Sequence, residues 1–305
     1  MEPKRKPERG YGSFEEPEAA SRPLAPSLIR AAGLAWNHID VGPGDAPAIV
    51  LLPGVVATHR YFRRNIPPLS ERFRVIAPDL PGFGQSEKPD APYSTEWFVA
   101  RLLEFLDVKG IARAHVVGNS LGGQIAMALA LAAPERVLRL VLIAPAGFTP
   151  YPAALSRVLD VAGRAAFPRV GLPRLPRIPS AAIALLFRLV YPTRPDLAES
   201  YTRGYVAGVA SPDYPLFVRA AFRSLRGSLE EPMMRRAADL TQPTLVMWGA
   251  QDHLLPARTA ALLSRTISGA ELLVYDESGH CPMVDQAERV NRDLAAFLDG
   301  KKVGV

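Results

Sequence analysis

The sequence predicts an α/β protein in which helices cover a mostly parallel central sheet and a mainly helical insertion interrupts the core. Three observations support this prediction: short apolar, β-branched runs that end at Gly, Pro or Asp, helical segments between them, and one long stretch without such runs. Near-continuous apolar runs are typical of strands buried on both faces, as in parallel sheets. The length of 305 residues suits one large α/β domain with an insertion, or two small domains.

Six segments match the pattern of a buried strand. They are residues 48–52, 74–77, 114–117, 140–144, 244–248 and 272–275. Helices are predicted at 95–108, which has apolar residues at helical spacing, and at 121–133, which is apolar nearly all round and stops at Pro134. A last helix is predicted at about 286–298, just before Gly300.

The stretch without strand-like runs extends over residues 148–240. It contains 13 Arg, no Lys and 7 acidic residues, so the formal net charge of +6 is located there. We expect it to form a helical cap over an α/β core made of residues 28–147 and 241–305. Residues 1–27 are rich in Pro, Glu, Lys and Ser, and we expect a disordered tail because they can bury little apolar surface.

Composition excludes several classes of protein. The sequence pI is about 9.6, but no stretch interleaves basic and aromatic residues as a nucleic-acid module does. Cys281 is the single cysteine, so no internal disulfide is expected. The amino-terminal residues lack the pattern of a signal peptide, and no uninterrupted apolar run approaches the ~18 residues of a membrane span. We therefore expect a cytoplasmic protein that acts on a small molecule without metal or cofactor, and the oligomeric state stays open.

The segment Gly118-Asn119-Ser120-Leu121-Gly122 is a G-x-S-x-G motif between a predicted strand and a predicted helix. This is the context of a nucleophile elbow, in which a sharp turn exposes the serine hydroxyl. The glycines are needed because a β-carbon two residues from the serine would clash with neighbouring backbone. The motif predicts Ser120 as a nucleophile.

A serine nucleophile needs a base, and the base needs an acidic partner. Of the five histidines, His280 follows the last predicted strand and is expected at the same sheet edge as Ser120. Asp252 follows the preceding strand, and the chain order Ser, Asp, His is the order expected of this arrangement. We predict His280 as the base and Asp252 as the residue that orients it.

The tetrahedral intermediate needs two backbone donors. We expect them to be the N–H groups of Leu121, just after the nucleophile, and of Val55, in the loop after the strand 48–52. Substrate contacts are expected from four further residues around these loops. They are Gly54, His59, Asn119 and Phe148.

In these residues the chain resembles the α/β-hydrolase superfamily in its cap-bearing branch, over about residues 33–300. The segment 77–86, Ala-Pro-Asp-Leu-Pro-Gly-Phe-Gly-Gln-Ser, is similar to the strand-and-turn signature of that superfamily, whose role there is largely structural. Relatives often carry His-Gly where this chain has Pro53-Gly54, so a side-chain hydrogen bond of the oxyanion loop is lost. The resemblance implies the α/β-hydrolase fold and a Ser-His-Asp triad.

The resemblance leaves the reaction open. The segment 118–123 is similar both to esterases and to hydrolases that cleave carbon–carbon bonds in ring-fission products. The latter usually carry an aromatic residue just after the catalytic histidine, where this chain has Cys281, and this favours a carboxylesterase for small to medium apolar acyl chains. Carbon–carbon or other acyl hydrolysis on the same triad is the first alternative. A ligand-binding protein on a hydrolase scaffold is the second.

Overall fold

The computed structural model describes residues 24–148, 157, 179–209, 213–230 and 233–304. Within these residues one sheet of eight strands forms the centre of the molecule, in the order β1-β2-β4-β3-β5-β6-β7-β8. The strands are β1 Ser27–Ala31, β2 Leu34–Val41, β3 Ala48–Leu52, β4 Arg74–Pro78, β5 Ala114–Asn119, β6 Val137–Ile143, β7 Thr244–Gly249 and β8 Glu271–Tyr275. Strands β3 to β8 run parallel to one another, whereas β1 pairs antiparallel with β2, and β2 with β4.

The central strands are buried on both faces, as is typical of a parallel sheet. Every residue of β3, β5 and β7 is buried, as expected for strands with helices on both faces. The fold class predicted from the sequence is confirmed, and all six predicted strands are present. β6 begins at Val137, three residues earlier than predicted, and the prediction did not delimit the antiparallel strands β1 and β2.

Helices connect the strands and cover the sheet. They are α1 Ile66–Ser70, α2 Thr95–Val108, α3 Leu121–Ala132, α4 Ser180–Val190, α5 Pro195–Val209, α6 Tyr214–Glu230, α7 Met233–Arg236, α8 Arg258–Thr266, α9 Pro282–Asp285 and α10 Ala287–Leu298. The predicted bounds of α2 agree with the structure, and its start is fixed by Ser94, whose hydroxyl accepts a hydrogen bond from the Trp97 N–H at 3.2 Å. α3 is buried at ten of its twelve positions, which explains its nearly uniform apolar composition.

The helices α4–α7 lie between β6 and β7 in the chain, within the segment for which the sequence predicts a cap. In the described part of that segment all regular secondary structure is helical. The predicted disordered tail falls mostly on residues 1–23, outside the described residues, and β1 begins at Ser27, one residue before the predicted start of the core. No helix among the described residues is long and apolar enough to cross a membrane.

The topology brings several loops to one edge of the sheet. Because β3, β4, β5, β7 and β8 are parallel, the loops that follow them all leave the sheet at its carboxyl edge. Open α/β sheets bind their ligands at this edge. The loops after β3, β5, β7 and β8 carry the residues for which the sequence predicts chemistry.

Candidate active site

Ser120 stands on a strained turn between β5 and α3. Its backbone angles are φ 55° and ψ −118°, a conformation that residues other than glycine rarely adopt. The turn is closely packed: a β-carbon on Gly118 would lie 2.2 Å from the Gly122 carbonyl oxygen, and one on Gly122 would lie 2.1 Å from the Leu52 carbonyl oxygen. The two glycines therefore allow the strand, the helix and the loop after β3 to meet around the serine.

The two expected oxyanion donors belong to the turn that carries Ser120 and to the loop that packs against it. Leu121 is the first residue of α3, so its N–H has no partner within the helix. The loop after β3 packs against the nucleophile, since a β-carbon on Gly54 would lie 3.2 Å from the Ser120 β-carbon. Val55 follows in that loop, and its N–H donates to no acceptor in the part of the chain that the structure describes. An N–H group without an acceptor in its own segment is available to a substrate oxygen, as the expected oxyanion donors require.

The structure brings His280 and Asp252 together. His280 Nδ1 lies 2.7 Å from Asp252 Oδ2, and both side chains are buried. The other carboxylate oxygen of Asp252 accepts hydrogen bonds from the N–H groups of Leu254 at 2.9 Å and Leu255 at 2.8 Å, which hold the carboxylate in place. A carboxylate accepts but does not donate, so the proton of the neutral imidazole resides on Nδ1 and Nε2 carries a lone pair.

The Nε2 atom of His280 is buried and has no hydrogen-bond partner among the described residues. A buried polar atom without a partner calls for an explanation, and a reacting group that meets its partner only during the reaction is one. An imidazole with Nδ1 held by a carboxylate and Nε2 free can take a proton from a hydroxyl.

Asn119 connects the serine turn to the histidine loop. Its amide donates to the backbone oxygen of Ile143 at 3.1 Å and to that of His280 at 3.2 Å. The residue just before Ser120 is therefore within hydrogen-bond distance of His280, although no single strand carries both. The sequence predicts a substrate contact for Asn119, and the structure occupies both amide hydrogens in joining β5, β6 and the His280 loop.

The Cys281 side chain packs against Asn119, the residue that joins the serine turn to the His280 loop. Its Sγ donates to Asn119 Oδ1 at 3.8 Å, and the side chain is buried. Burial, together with the nearby carboxylate of Asp285, raises the pKa of the Cys281 thiol well above its usual value. The thiol therefore stays protonated and is a packing group rather than a nucleophile.

Asp285, for which the sequence predicts no role, closes the histidine loop. One oxygen accepts hydrogen bonds from the Ser278 hydroxyl at 2.8 Å and from the Gly279 N–H at 2.9 Å. Burial raises the pKa of the Asp285 carboxyl despite these two donors. Its spacing of five residues from His280 carries no recognisable signal, because the contact depends on the turn into α9.

His59 forms a second buried pair with Asp79. His59 Nδ1 lies 2.8 Å from Asp79 Oδ1, and the His59 N–H donates to the same oxygen at 2.9 Å. Asp79 Oδ2 accepts from Asn37 Nδ2 at 2.9 Å and from the Gln85 N–H at 3.0 Å. Although burial acts to raise it, these donors hold the pKa of Asp79 below its ordinary value. The structure thus gives His59 a structural role, because its bonds to Asp79 hold the end of the loop that follows β3.

Phe148 lies in the loop after β6 and is buried. That loop touches the nucleophile turn, since the Ala146 N–H donates to the Ser120 carbonyl oxygen at 3.0 Å. Residues 149–156 lie outside the described residues, so the predicted substrate contact of Phe148 stays a prediction. Among the described residues no group of three or more His, Cys, Asp or Glu side chains is arranged to hold a metal ion.

The remaining histidines lie elsewhere. His38 and His115 are buried in β2 and β5, and His253 is exposed on the loop beside Asp252. Burial, with the charge of Arg139 nearby, lowers the pKa of His115 to about 4. Neither lies in a loop beside Ser120: His115 pairs with Ile49 near the start of β3, and His38 lies on β2, which β4 and β3 separate from β5.

The sheet order, the serine turn and the histidine–aspartate pair together define the class of α/β hydrolases. Residues 47–287 match the family model described as the α/β hydrolase fold, and the chain belongs to this family. The chain is therefore a hydrolase.

The chain is similar to individual hydrolases of more than one kind. The chain is 33% identical to a 2-hydroxymuconate semialdehyde hydrolase of Pseudomonas sp. (strain CF600), over 88% of this chain and 92% of that protein. It is similar in structure to a meta-cleavage product hydrolase from Pseudomonas fluorescens IP01, with a TM-score of 0.75, 27% identity, and coverage of 90% of this chain and 97% of that one. A carboxylesterase from Bacillus subtilis also shares the fold, with a TM-score of 0.75, 24% identity, and coverage of 92% and 94%.

Proposed function

We propose that this protein is a serine hydrolase that adds water across a carbon–carbon bond next to a ketone or aldehyde carbonyl, as in the products of aromatic ring fission. The observation that carries the proposal is the pair of His280 Nδ1 and Asp252 Oδ2 at 2.7 Å, with Nε2 buried and unpartnered within the described residues. Asn119, next to the strained Ser120, bonds to the backbone of this histidine.

The proposal that the cleaved bond is a carbon–carbon bond rather than an ester rests on the relatives. From the sequence we expected ester hydrolysis first and carbon–carbon cleavage second. The 33% identity to a 2-hydroxymuconate semialdehyde hydrolase, over nearly the whole of both chains, reverses this order. The substrate class of that enzyme is here a proposal for this chain. The predicted preference for apolar acyl esters becomes the second candidate, supported by the fact that one triad can attack either kind of carbonyl.

The mechanism follows from the positions of the side chains. The Ser120 hydroxyl gives its proton to His280 Nε2 as its oxygen attacks the carbonyl carbon, and the oxyanion accepts hydrogen bonds from the Leu121 and Val55 N–H groups. Collapse of the tetrahedral intermediate breaks the carbon–carbon bond. Its electron pair passes to a second carbonyl group, conjugated with the departing carbon in the keto form of the substrate, and the resulting enolate takes the proton from His280. Water, deprotonated by His280, then releases the acyl group and restores Ser120.

Carbon–carbon cleavage requires the base to protonate a different kind of leaving group from the one in ester cleavage. An alcohol leaves with its charge on the oxygen of the broken bond, whereas an enolate shares its charge between the departing carbon and a more distant oxygen, so the imidazolium has two positions to which it can give its proton. Cys281 replaces the aromatic residue that such hydrolases usually carry after the histidine. Its small side chain contacts Asn119 Oδ1, so no aromatic ring at this position adjoins the base.

We also propose that helices α4–α7 belong to a cap over the carboxyl edge of the sheet and that the protein is cytoplasmic.

The experiment that tests the proposal compares two substrates on one preparation. We expect wild-type protein to hydrolyse 2-hydroxymuconate semialdehyde with a kcat/KM at least about 100-fold above that for p-nitrophenyl esters of two to about twelve carbons. Ser120→Ala should abolish both reactions. Ser264→Ala, whose hydroxyl bonds within its own helix, should change neither. Ester hydrolysis without carbon–carbon cleavage would favour the carboxylesterase instead.

A folded protein that cleaves neither substrate and fails to react with an organophosphonate at Ser120 would contradict both candidates. That result would support the remaining hypothesis, a ligand-binding protein on a hydrolase scaffold. Mass spectrometry of the intact protein gives this readout directly, because the organophosphonate adds a defined mass to the serine.

A further inference from the structure

Three buried tyrosines from separate parts of the chain meet beside the loop of the proposed base. Tyr61 belongs to the 3₁₀ turn His59–Phe62 after the oxyanion loop, Tyr191 directly follows α4, and Tyr201 lies in α5. The ring centroids are 4.9 Å apart for Tyr61 and Tyr201 and 5.0 Å apart for Tyr191 and Tyr201, and the last two rings are stacked. These three residues are here called the tyrosine cluster.

A short series of contacts connects the tyrosine cluster to the nucleophile. The Tyr191 hydroxyl lies close enough to the Cys281 thiol to interact with it. The Cys281 Sγ in turn donates to Asn119 Oδ1 at 3.8 Å, and Asn119 directly precedes Ser120. Only the side chains of Cys281 and Asn119 therefore separate the cluster from the serine turn.

The Tyr191 hydroxyl is at the centre of the cluster and is unpartnered. The hydroxyl groups of Tyr61 and Tyr201 are near enough to interact with it. No donor or acceptor in the described ranges, however, meets it with the distance and angle of a hydrogen bond. Tyr191 is 1% exposed, so bulk water does not supply the missing bond. Buried polar atoms are nearly always paired, and an unpaired one close to a nucleophile indicates a position for a ligand atom.

The hydroxyl groups of the cluster are suited to donate to an oxygen atom. Burial raises the pKa of all three tyrosines, so their hydroxyls stay protonated. Arg63 Nη1 donates to the Tyr201 hydroxyl oxygen at 2.8 Å. A hydroxyl that accepts a bond from a cation is polarised and becomes a stronger donor itself. Donors fixed in a buried site stabilise an oxygen on which negative charge develops, and the oxygen of an enolate is of this kind.

We propose that the tyrosine cluster binds the second carbonyl oxygen of the substrate, which becomes the enolate oxygen when the carbon–carbon bond breaks. The Tyr191 hydroxyl donates to this oxygen, and Tyr61 and Tyr201 hold the Tyr191 ring in place. The cluster donates hydrogen bonds only, and the proton that the enolate takes still comes from His280. The choice of ligand rests on the carbon–carbon hydrolysis proposed above.

Two oxygen sites would then hold one substrate at both of its carbonyl groups. The first carbonyl lies at Ser120, between the expected donors Leu121 and Val55, and the second lies at the tyrosine cluster. A simple ester has only the first carbonyl. The cluster therefore favours dicarbonyl substrates over esters, and removal of the Tyr191 hydroxyl should affect the two classes differently.

The first experiment measures binding without turnover. Full-length Ser120→Ala protein is titrated in a calorimeter with 2,4-pentanedione, which has two carbonyls, and with 2-pentanone, which has one. We expect the diketone to bind about tenfold more tightly. Adding Tyr191→Phe should remove this preference and leave the affinity for 2-pentanone unchanged. The matched control is Tyr93→Phe, a buried tyrosine whose hydroxyl already donates to the Pro89 carbonyl oxygen at 2.7 Å and which should leave the preference intact.

The second experiment measures turnover and stability in the active protein. Tyr191→Phe should lower kcat for 2-hydroxymuconate semialdehyde about tenfold or more and change kcat/KM for p-nitrophenyl acetate less than about twofold. Urea unfolding should show no loss of stability, because a hydroxyl without a partner contributes no hydrogen bond to the fold.

Two outcomes would overturn the proposal. One is an unchanged preference for the diketone in the Tyr191→Phe protein, which would leave the hydroxyl with a buried water or a packing role. The other is an equal loss of activity on both substrates, as a merely structural role would produce. If wild-type protein cleaves no carbon–carbon bond, the proposed function fails, and the titration still decides whether the cluster binds a second carbonyl. Circular dichroism verifies folding, and Tyr61→Phe replaces Tyr191→Phe if that variant does not fold.

Discussion

The backbone N–H of His280 donates to the carbonyl oxygen of Val190 at 3.0 Å, so the loop of the proposed base is anchored to the end of α4. The contact is tight because Gly279 has no side chain. A β-carbon there would lie 2.5 Å from both the Val190 carbonyl oxygen and Pro192 Cδ. The position of the imidazole thus depends on a helix that lies between β6 and β7 in the chain and outside the sheet.

We expect Gly279→Ala to separate α4 from the His280 loop. Displacing a base by about 1 Å costs roughly 10- to 100-fold in kcat, with a smaller change in KM. Steady-state kinetics on the better substrate measures this. Gly44→Ala is the matched control, because a β-carbon at Gly44 meets no atom within 4 Å. Unchanged kcat in a folded Gly279→Ala protein would show that the anchor has no part in positioning the base.

Asp252→Asn should lower kcat by up to roughly 10⁴-fold, by analogy with other triads. The amide can donate to Nδ1, so it favours the imidazole tautomer that has its proton on Nε2 and cannot accept one there. Asp276→Asn, at an exposed residue at the end of β8, is the control and should leave the rate unchanged. A loss below about tenfold for Asp252→Asn would remove Asp252 from the triad.

Asp79→Asn should lower the free energy of unfolding by about 3 kcal/mol, because the buried carboxylate loses its charge while four donors still face it. Urea unfolding near pH 7 measures this. Since the folded-state pKa of Asp79 is below 3.8, its stabilisation is present above about pH 4 and is lost as the pH falls further. The difference between wild type and variant should therefore shrink in acid.

The control for this variant is Glu199→Gln, which removes an exposed ion pair with Arg203 and should cost less than about 1 kcal/mol. Equal losses for the two variants would contradict the role of Asp79. A second readout is kcat, which should fall only for Asp79→Asn, because His59 adjoins the loop of the oxyanion donors.

His115 should make the fold sensitive to mild acid. Its folded-state pKa is about 4, against 6.5 for an exposed histidine, so the unfolded chain binds a proton that the folded chain does not. Stability therefore falls as the pH drops from about 6.5 towards about 4, by about 2 kcal/mol at about pH 5. Urea unfolding at about pH 7.5 and about pH 5 should show a smaller difference for His115→Phe than for wild type.

His253→Gln is the control, since His253 is exposed and should leave the acid sensitivity as it is. If His115→Phe retains the full wild-type difference between the two pH values, another group is responsible for it. The nearby aromatic ring of Phe73 gives the new phenylalanine an apolar partner, so loss of folding at neutral pH is not expected.

Much of the core could be predicted because its signals are local. The buried strands are continuous apolar runs, and the G-x-S-x-G motif marks its turn within five residues, although Gly122 is also required by the approach of Leu52 from β3. His280 and Asp252 could be chosen because parallel strands all end at one edge, which follows from the fold class alone. The strands β1 and β2 were harder to delimit: β1 is largely exposed, and an edge strand carries little apolar pattern.

The sequence by itself determined the fold class, the serine turn and the residues expected to act with it. Only the tertiary structure decided which contacts hold these residues in place. The bonds from Asn119 to the His280 backbone, from Asp285 to Gly279 and from His280 to Val190 join segments whose proximity depends on how helices and loops pack. A backbone carbonyl has the same chemistry at every position, so no residue type marks Val190 as the acceptor. Its role exists only once α4 lies on the histidine loop.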